Sequence, residues 1–406
     1  MTKEMKIKPG YKKTPVGIIP EDWEVVRLGE ICSHFRSGKG ITSKNILEVG
    51  KYPVYGGNGL RGYTESYTHK GKYILIGRQG ALCGNIQVVQ GEQYISEHAI
   101  AVQTNENNHL EFLGKKLDYY NLNRLSESSA QPGLAVNKLV RLRLPIPPLP
   151  EQKAIADCLS TWDRGIDKLT ALIDAKKEQK KGLMQRLLTG SLRLRSATGE
   201  PFDGEWKEVR LGEIGKTING LTGKNKKDFG EGSPFVTYLN VYNNNKITNK
   251  TEFDLVKINK NEKQTCLKFG DIIFTTSSET PHEVGMSSVI LFHPKTELYL
   301  NSFCFGLRLH NLKTINAQFS SFLFRSKGFR KIMYKLAQGS TRFNLSKSSF
   351  NDITLNIPSL EEQTAIAQVL TTADREIELL EQKLAAMKEQ KKGLMQVLLT
   401  GEKRLV

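Results

Sequence analysis

The sequence predicts an α+β chain in which two globular domains are joined by two long helices that pack on each other about an internal two-fold. Three observations lead there. The nine residues KEQKKGLMQ at 177–185 return letter for letter at 388–396, and the surrounding block 145–194 matches 356–405 without a gap at an offset of 211, with 30 of 50 positions identical. Upstream, DWEVVRLGEI at 22–31 matches EWKEVRLGEI at 205–214 at an offset of 183. Between these blocks the copies hardly resemble each other, so a common frame carries two different contents, the second longer by 28 residues.

The matched block reads as a helix. Ile155, Leu159, Trp162, Ile166, Leu169 and Ile173 are spaced alternately four and three apart, and Ile366, Leu370, Ala373, Ile377, Leu380, Leu384 and Met387 repeat the pattern. This is the 3.5-residue period of a coiled-coil seam. Pro150 and Glu151 suit a helix start, and Gly190 and Gly401, closing each LLTG, suit a helix end. Lys180 and Lys391 fall where an apolar seam residue is due, a placement that can fix register at a cost in stability. Gly182 and Gly393 stand inside the helices, where glycine costs about 1 kcal/mol relative to alanine. Two near-identical helices in one chain most simply pair as the subunits of a dimer would. The duplicated words are then the two faces of one intramolecular interface, or two equivalent docking sites.

The variable stretches change period. KYILIG (72–77), NIQVVQ (85–90) and HAIAVQ (98–103) read as strands in the first, and DIIFTT (271–276), SSVILF (287–292) and FCFGLRL (303–309) in the second. Each set precedes a helical piece, at 109–125 and 315–336. The expected division is therefore a first globular domain at 1–149, a long helix at 150–194, a second globular domain at 195–359 and a second long helix at 360–406.

Charge narrows the function. Lys and Arg total 59 against 42 Asp and Glu, a surplus of 17 that favours a polyanionic partner. The basic residues are spread along the chain rather than gathered on one amphipathic helix, which disfavours a membrane surface. Five separated cysteines without a CxxC, and no apolar leader or span, fit reduced thiols in the cytoplasm. Cationic and amide residues crowd the expected turns: Arg36 and Lys39, Asn58 and Arg61, Arg78 and Gln79 in the first domain; Lys224, Asn225, Lys226 and Lys227, Asn240 and Asn243, and Ser340, Thr341, Arg342 and Asn344 in the second. Taken singly each is an exposed turn residue. Taken together, they are the side chains that pair with base edges and hold phosphates.

Sites for chemistry are not found. GNGLRG at 57–62 spells the dinucleotide fingerprint, yet no apolar helix follows it and no acidic residue stands about twenty positions on, so it reads as a glycine turn. A Walker motif, HExxH, GxSxG and histidine metal spacing are missing, and PIPPL at 145–149 lacks the Asn or Asp and the aromatic of an adenine methyltransferase motif. The Glu-x-Lys triplets starting at Glu151, Glu178, Glu381 and Glu389 lie in the helical blocks, where charge pairing is the commoner use. The chain reads as a binder without its own chemistry.

Two dissimilar stretches, each opened by W…VRLGEI and closed by Pro-x-Leu-x-Glu-Gln and a long helix ending in LLTG, resemble the specificity subunits of Type I restriction–modification systems over nearly the full chain. KYPVYGGNGLRGY at 51–63 also looks like a segment common in their target recognition domains. The resemblance implies that each recognition domain reads one half of a split double-stranded DNA target, and that the helices form an antiparallel coiled coil setting the gap. It further implies docking of two modification subunits that use S-adenosylmethionine, with restriction subunits that supply the motor and nuclease. Methyl transfer, ATP and Mg would then belong to those partners, with no cofactor in this subunit. Because the two contents differ, an asymmetric target is expected. The rival expectations are a non-specific nucleic-acid scaffold, a stand-alone nuclease or methyltransferase, and a silent member of the family.

Overall fold

The structure, a computed structural model, describes residues 7–80, 82–126, 133–196 and 198–405. The chain belongs to the α+β class, and its two longest elements are the helices Leu149–Leu187 and Leu360–Leu399. It divides into two compact units, one formed by 1–170 with 382–406 and the other by 171–381. Each unit thus joins one variable stretch to the start of the helix that follows it and to the end of the other long helix.

In the first unit a six-stranded sheet runs in the order Cys32–Ser37, Ala99–Thr104, His69–Gly77, Ile86–Ile95, Tyr52–Gly56, Gly59–Thr64. All neighbours are antiparallel except Tyr52–Gly56 beside Ile86–Ile95. The continuous apolar run YILIG is buried, and one face packs through Ile74 and Ile76 on Phe112, Leu113 and Leu117 of the helix Leu110–Tyr120. In the second unit five strands run Gly215–Asn219, Cys304–Leu309, Ile272–Thr275, Ser287–Ile290, Lys246–Ile247. The helical piece expected at 315–336 is two helices, Ala317–Leu323 and Lys327–Leu336; Ser326 separates them by accepting a hydrogen bond from the Phe329 amide as an N-cap.

The shared frame repeats to the residue. Glu24–Arg27 pairs with Arg143–Ile146, and Lys207–Arg210 pairs with Thr354–Ile357. The glycine of each VRLGEI has a steric reason: a Cβ on Gly29 would lie 3.1 Å from Val140 Cβ, and one on Gly212 3.1 Å from Asn351 Cβ. The Gln of each Glu-Gln clamps the start of its long helix to the domain. Gln152 accepts from the His109 amide at 2.8 Å and donates to Pro147 O at 2.9 Å, and Gln363 does the same with Asn316 and Pro358 at the same distances.

The two long helices run antiparallel within each unit. In the first, Asp163 pairs with Lys391 and Gly165 faces Met387; in the second, Lys176 pairs with Glu376 and Lys180 with Asp374, so numbering rises along one helix as it falls along the other. The two lysines that interrupt the seam therefore meet aspartates at equivalent positions, which satisfies a charge that an apolar seam would otherwise strand.

Each LLTG ends a helix inside the opposite copy's domain. Leu398 and Leu399 lie in the first unit's core with Trp23, Ile155 and Leu159, whereas Leu187 and Leu188 lie in the second unit's core with Ile366 and Leu370. Gly190 and Gly401 take φ of 72° and 77°, the left-handed conformation that glycine adopts without strain, and each places its chain against a tryptophan: a Cβ would fall 3.3 Å from Trp206 or from Trp23.

Candidate nucleic-acid interface

In the first unit the strand His69–Gly77 ends at Arg78 and Gln79. The Arg78 amide donates to His98 O at 2.9 Å, its carbonyl accepts from the Leu134 amide at 2.9 Å, and Gln79 bridges to Gly133. The glycine turn at 57–59 is pressed against this end, because a Cβ on Gly57 would lie 2.7 Å from His98 O and 3.1 Å from Gly77 Cα. Asn58 is thereby held exposed at the tip. Arg61 lies over Gly56, and Lys39 donates its amide to Ile95 O at 2.9 Å beside Ser96. Lys39, Asn58, Arg61, Arg78 and Gln79 are thus brought to one end of the sheet. Arg36 is exposed on the neighbouring strand, paired in register with Ala101.

His98 belongs to this group and was not among the residues singled out from the sequence. Its Nδ1 is 3.3 Å from Gln79 Oε1 and its Nε2 3.4 Å from Glu97 Oε1. Glu97, a carboxylate at this edge, could accept from a cytosine amino group, as the surrounding amides and guanidinium groups could address purine edges.

The second unit builds its cluster at the same place in the frame. The Leu345 amide donates to Thr276 O at 3.0 Å, where Leu134 meets Arg78 in the first, and Ser277 pairs with Asn344 where Gln79 meets Gly133. The loop carrying Ser340, Thr341 and Arg342 is closed by Gln338 and Asn344, and all three side chains are exposed. The Arg342 guanidinium stands 5.6 Å from the ring centroid of Phe303, an aromatic left 51% exposed. A stacked guanidinium keeps its fork free for a bidentate acceptor. Nearby, Lys347 donates to Asn219 Oδ1. Phe303, Asn219 and Lys347 escaped the sequence reading, Phe303 because it looked like the first residue of a strand.

The other candidates of this unit are placed differently. Lys224 has a side chain only 3% exposed, with Nζ 2.6 Å from Lys257 O and paired to Glu262, whose carboxyl it holds down at about 2. Asn225 caps the turn Lys226–Asp228 by accepting from the Lys227 amide, which leaves Lys226 and Lys227 exposed. Asn240 closes a capping box with Thr237, and Asn243 is exposed at the end of the same helix, Tyr238–Asn243. No hydrogen bond or ion pair among the described residues joins these six lysine-loop and helix residues to the Arg342 loop.

Among the described residues no group of three or more His, Cys, Asp and Glu is placed to hold a metal, and no helix is long and apolar enough to cross a membrane. The Glu-x-Lys triplets have structural partners: Glu151 accepts from Trp23 and Arg404, Glu381 pairs with Lys177, and Lys180 and Lys391 meet the seam aspartates.

Two separate segments, 20–177 and 203–389, match the family model for the Type I restriction modification DNA specificity domain. The chain belongs to this family. The EcoprrI specificity subunit of Escherichia coli is 41% identical over 153 residues, 37% of this chain and 38% of that protein. The MjaVIII specificity subunit of Methanocaldococcus jannaschii is 27% identical over 408 residues, 95% of this chain and 94% of that protein. In fold, the chain is similar to the crystal structure of a Type I restriction–modification S subunit from M. genitalium, with a TM-score of 0.58 at 15% identity, covering 98% of this chain and 99% of that one. It is also similar to a chain from a study of complex assembly and conformational transition of the Type I system, with a TM-score of 0.57 at 17% identity and 95% and 99% coverage.

Proposed function

We propose that this chain is the DNA-reading subunit of a Type I restriction–modification complex, and that each strand-end cluster reads one half of a split, asymmetric target. The observation that carries this reading is the pair of clusters. They occupy equivalent positions in a duplicated frame, at the ends of Ile272–Thr275 and His69–Gly77, yet they present different side chains. A shared scaffold with unlike contents is what two different half-sites require. The polar and guanidinium groups are of the kinds that address base edges in the major groove.

In this reading the long helices set the gap between half-sites and dock two modification subunits, and restriction subunits join through that assembly. The chain performs no chemistry itself. Its partners bring S-adenosylmethionine, ATP and Mg. A helix of 39 residues is about 58 Å long at 1.5 Å per residue, which corresponds to roughly 17 base pairs at 3.4 Å each.

The deciding experiment is base-resolved methylation mapping of host DNA with and without the gene. Loss of methyl-adenine at one split, asymmetric motif is expected on deletion, whereas an unchanged map, joined to salt-sensitive binding of purified chain without sequence preference, would leave a non-specific scaffold instead. Inserting one heptad into both long helices adds about 10.5 Å, so the methylated motif should lengthen its spacer by about three base pairs. An unaltered spacer would show that the helices do not measure it.

A further inference from the structure

One position of the frame carries a ring in both units, and the chemistry of that ring changes between them. The Arg78 amide donates to His98 O at 2.9 Å, and the Thr276 amide donates to Phe303 O at 2.8 Å. One residue later each chain enters an inner strand of its sheet, Ala99–Thr104 or Cys304–Leu309. The turn before that strand is built alike, because the Ala99 amide reaches Ser96 O and the Cys304 amide reaches Asn301 O, both at 3.0 Å. A glycine presses on each turn from the end of the edge strand: a Cβ on Gly38 would fall 2.4 Å from Ser96 O, and one on Gly220 2.0 Å from Asn301 O. His98 and Phe303 therefore occupy one and the same place in the duplicated frame, at the strand end where each cluster lies.

The surroundings of the two rings are unlike. His98 is tied to polar neighbours, Gln79 and Glu97, through both ring nitrogens. Phe303 offers no polar group, yet its ring stands half in solvent, where a side chain of this type forgoes the stabilisation of burial. Its backbone enforces that exposure, with the amide held by Asn301 Oδ1 at 2.9 Å and the carbonyl held by Thr276. The Arg342 loop is fixed just as firmly. Gln338 and Asn344 exchange backbone hydrogen bonds at 3.0 and 2.8 Å, and Gly339, at φ of 139°, admits the Arg342 carbonyl to a point only 2.1 Å from where a Cβ would stand. Among the described residues no carboxylate pairs with Arg342, so the guanidinium beside the ring keeps its donors unspent.

We propose that Phe303 and Arg342 together determine the base identity of the second half-site, reading a guanine with a thymine close beside it. The guanidinium donates to guanine O6 and N7, and the ring packs on the thymine 5-methyl group. This rests on the reading given under Proposed function. Arginine is the side chain whose fork matches the two guanine acceptors, and the thymine methyl is the apolar feature that the major groove presents to a phenyl ring. The guanidinium and the ring centroid are 5.6 Å apart, and base pairs rise about 3.4 Å each, so the thymine lies one or two pairs from the guanine. The other use of an exposed phenylalanine, as a wedge between base steps, unstacks a pair whatever methyl groups it carries. The first unit lacks the methyl contact at this position, because His98 brings hydrogen-bonding groups there instead.

The test is competition binding by the full chain assembled with its modification subunits, on duplexes of the methylated motif. Deoxyuridine replaces each thymine in turn, which removes only the methyl group, and 7-deazaguanine replaces each guanine, which removes only N7. For wild type, one deoxyuridine in the second half-site should weaken binding about fourfold, the worth of one buried methyl, and 7-deazaguanine one or two pairs away should weaken it too. Phe303→Ala should bind the thymine and uracil duplexes equally, and Phe303→His, which takes the residue of the first unit, should do the same while keeping the melting temperature. Arg342→Ala should lose the response to 7-deazaguanine. A second half-site with no thymine within two pairs of a guanine overturns the proposal, as does a wild type indifferent to uracil, the result a wedge would give. So does a methyl response that survives in Phe303→Ala. A complex that binds every duplex alike, with or without the motif, would instead overturn the function on which this inference rests.

Discussion

The two units are sealed by the same words and held by different bonds. In the first, Glu151, fully buried, accepts Trp23 Nε1 at 2.9 Å and Arg404 at 2.6 and 2.8 Å, and Arg404 also grips Asp22 at 2.9 and 2.7 Å, which holds the Asp22 carboxyl below its ordinary value. In the second, Glu362 receives Arg193 at 2.6 and 2.8 Å, but the second arginine contact is the Gly204 carbonyl at 2.9 Å, and the buried Nε1 of Trp206 has no partner. The first seal joins residues 253 apart in sequence, the second residues 169 apart. A repeat therefore conserves where a helix end docks while leaving room for the strength of the joint to drift.

That difference can be broken by truncating the central carboxylate. Glu151→Ala leaves the buried Trp23 Nε1 without an acceptor and Arg404 with Asp22 alone, so it should destabilise the chain by about 3 to 5 kcal/mol. Glu362→Ala strands only Arg193 and should cost less, about 2 to 3 kcal/mol. Denaturant unfolding of both variants checks this, and equal losses would mean that the Trp23 bond adds nothing. On the recognition side, Arg342→Ala should weaken binding by about 1 to 3 kcal/mol through the second half-site alone. Competition with DNA altered in one half-site at a time reads it; equal loss of discrimination at both halves would sink the assignment.

The first unit also contains a buried amine. Lys116 donates to Leu399 O at the end of the second long helix, and burial pushes its pKa down to about 7 from an ordinary 10.5. Between those values the unfolded chain holds a proton that the folded chain lacks, so stability contributed by this site rises with pH across that window and its penalty is complete below it. Unfolding measured at several pH values from 7 to 10 should show a positive slope of up to roughly 1.4 kcal/mol per pH unit, and Lys116→Met should flatten it. The smallest effect expected is at the helical glycines. A Cβ on Gly182 or Gly393 meets nothing within 4 Å, so alanine at each should stabilise the isolated chain by about 1 kcal/mol. If the gain appears in isolation but assembly with partners weakens, the bare backbone at these points faces another subunit.

Much of the architecture was legible because it rests on local periodicity. YILIG, IIFT and the four-and-three seam are short patterns whose burial follows from side-chain type, and the glycines of LLTG announce helix ends before any contact is known. The candidate interface was legible only in part. Lys224 and Asn225 looked like free turn residues, yet one is buried against Lys257 and Glu262 and the other caps a turn, uses that depend on neighbours far away in sequence or on a dihedral. His98 and Phe303 carried no signal, since an exposed aromatic at a strand end is written in the same letters as a buried one.

From the letters come the duplication, the helical seam, the unequal contents and the basic surplus, because each is a property of composition or of spacing along one segment. Which helix end closes which domain was open in principle, since 187–190 and 398–401 are the same four letters and either could meet either tryptophan. The folded chain decides it: LLTG of each copy is buried in the domain of the other, against Trp206 and Trp23. The reason is geometric. An antiparallel helix runs away from the domain it starts in, so its apolar end can be buried only in the domain at which it arrives.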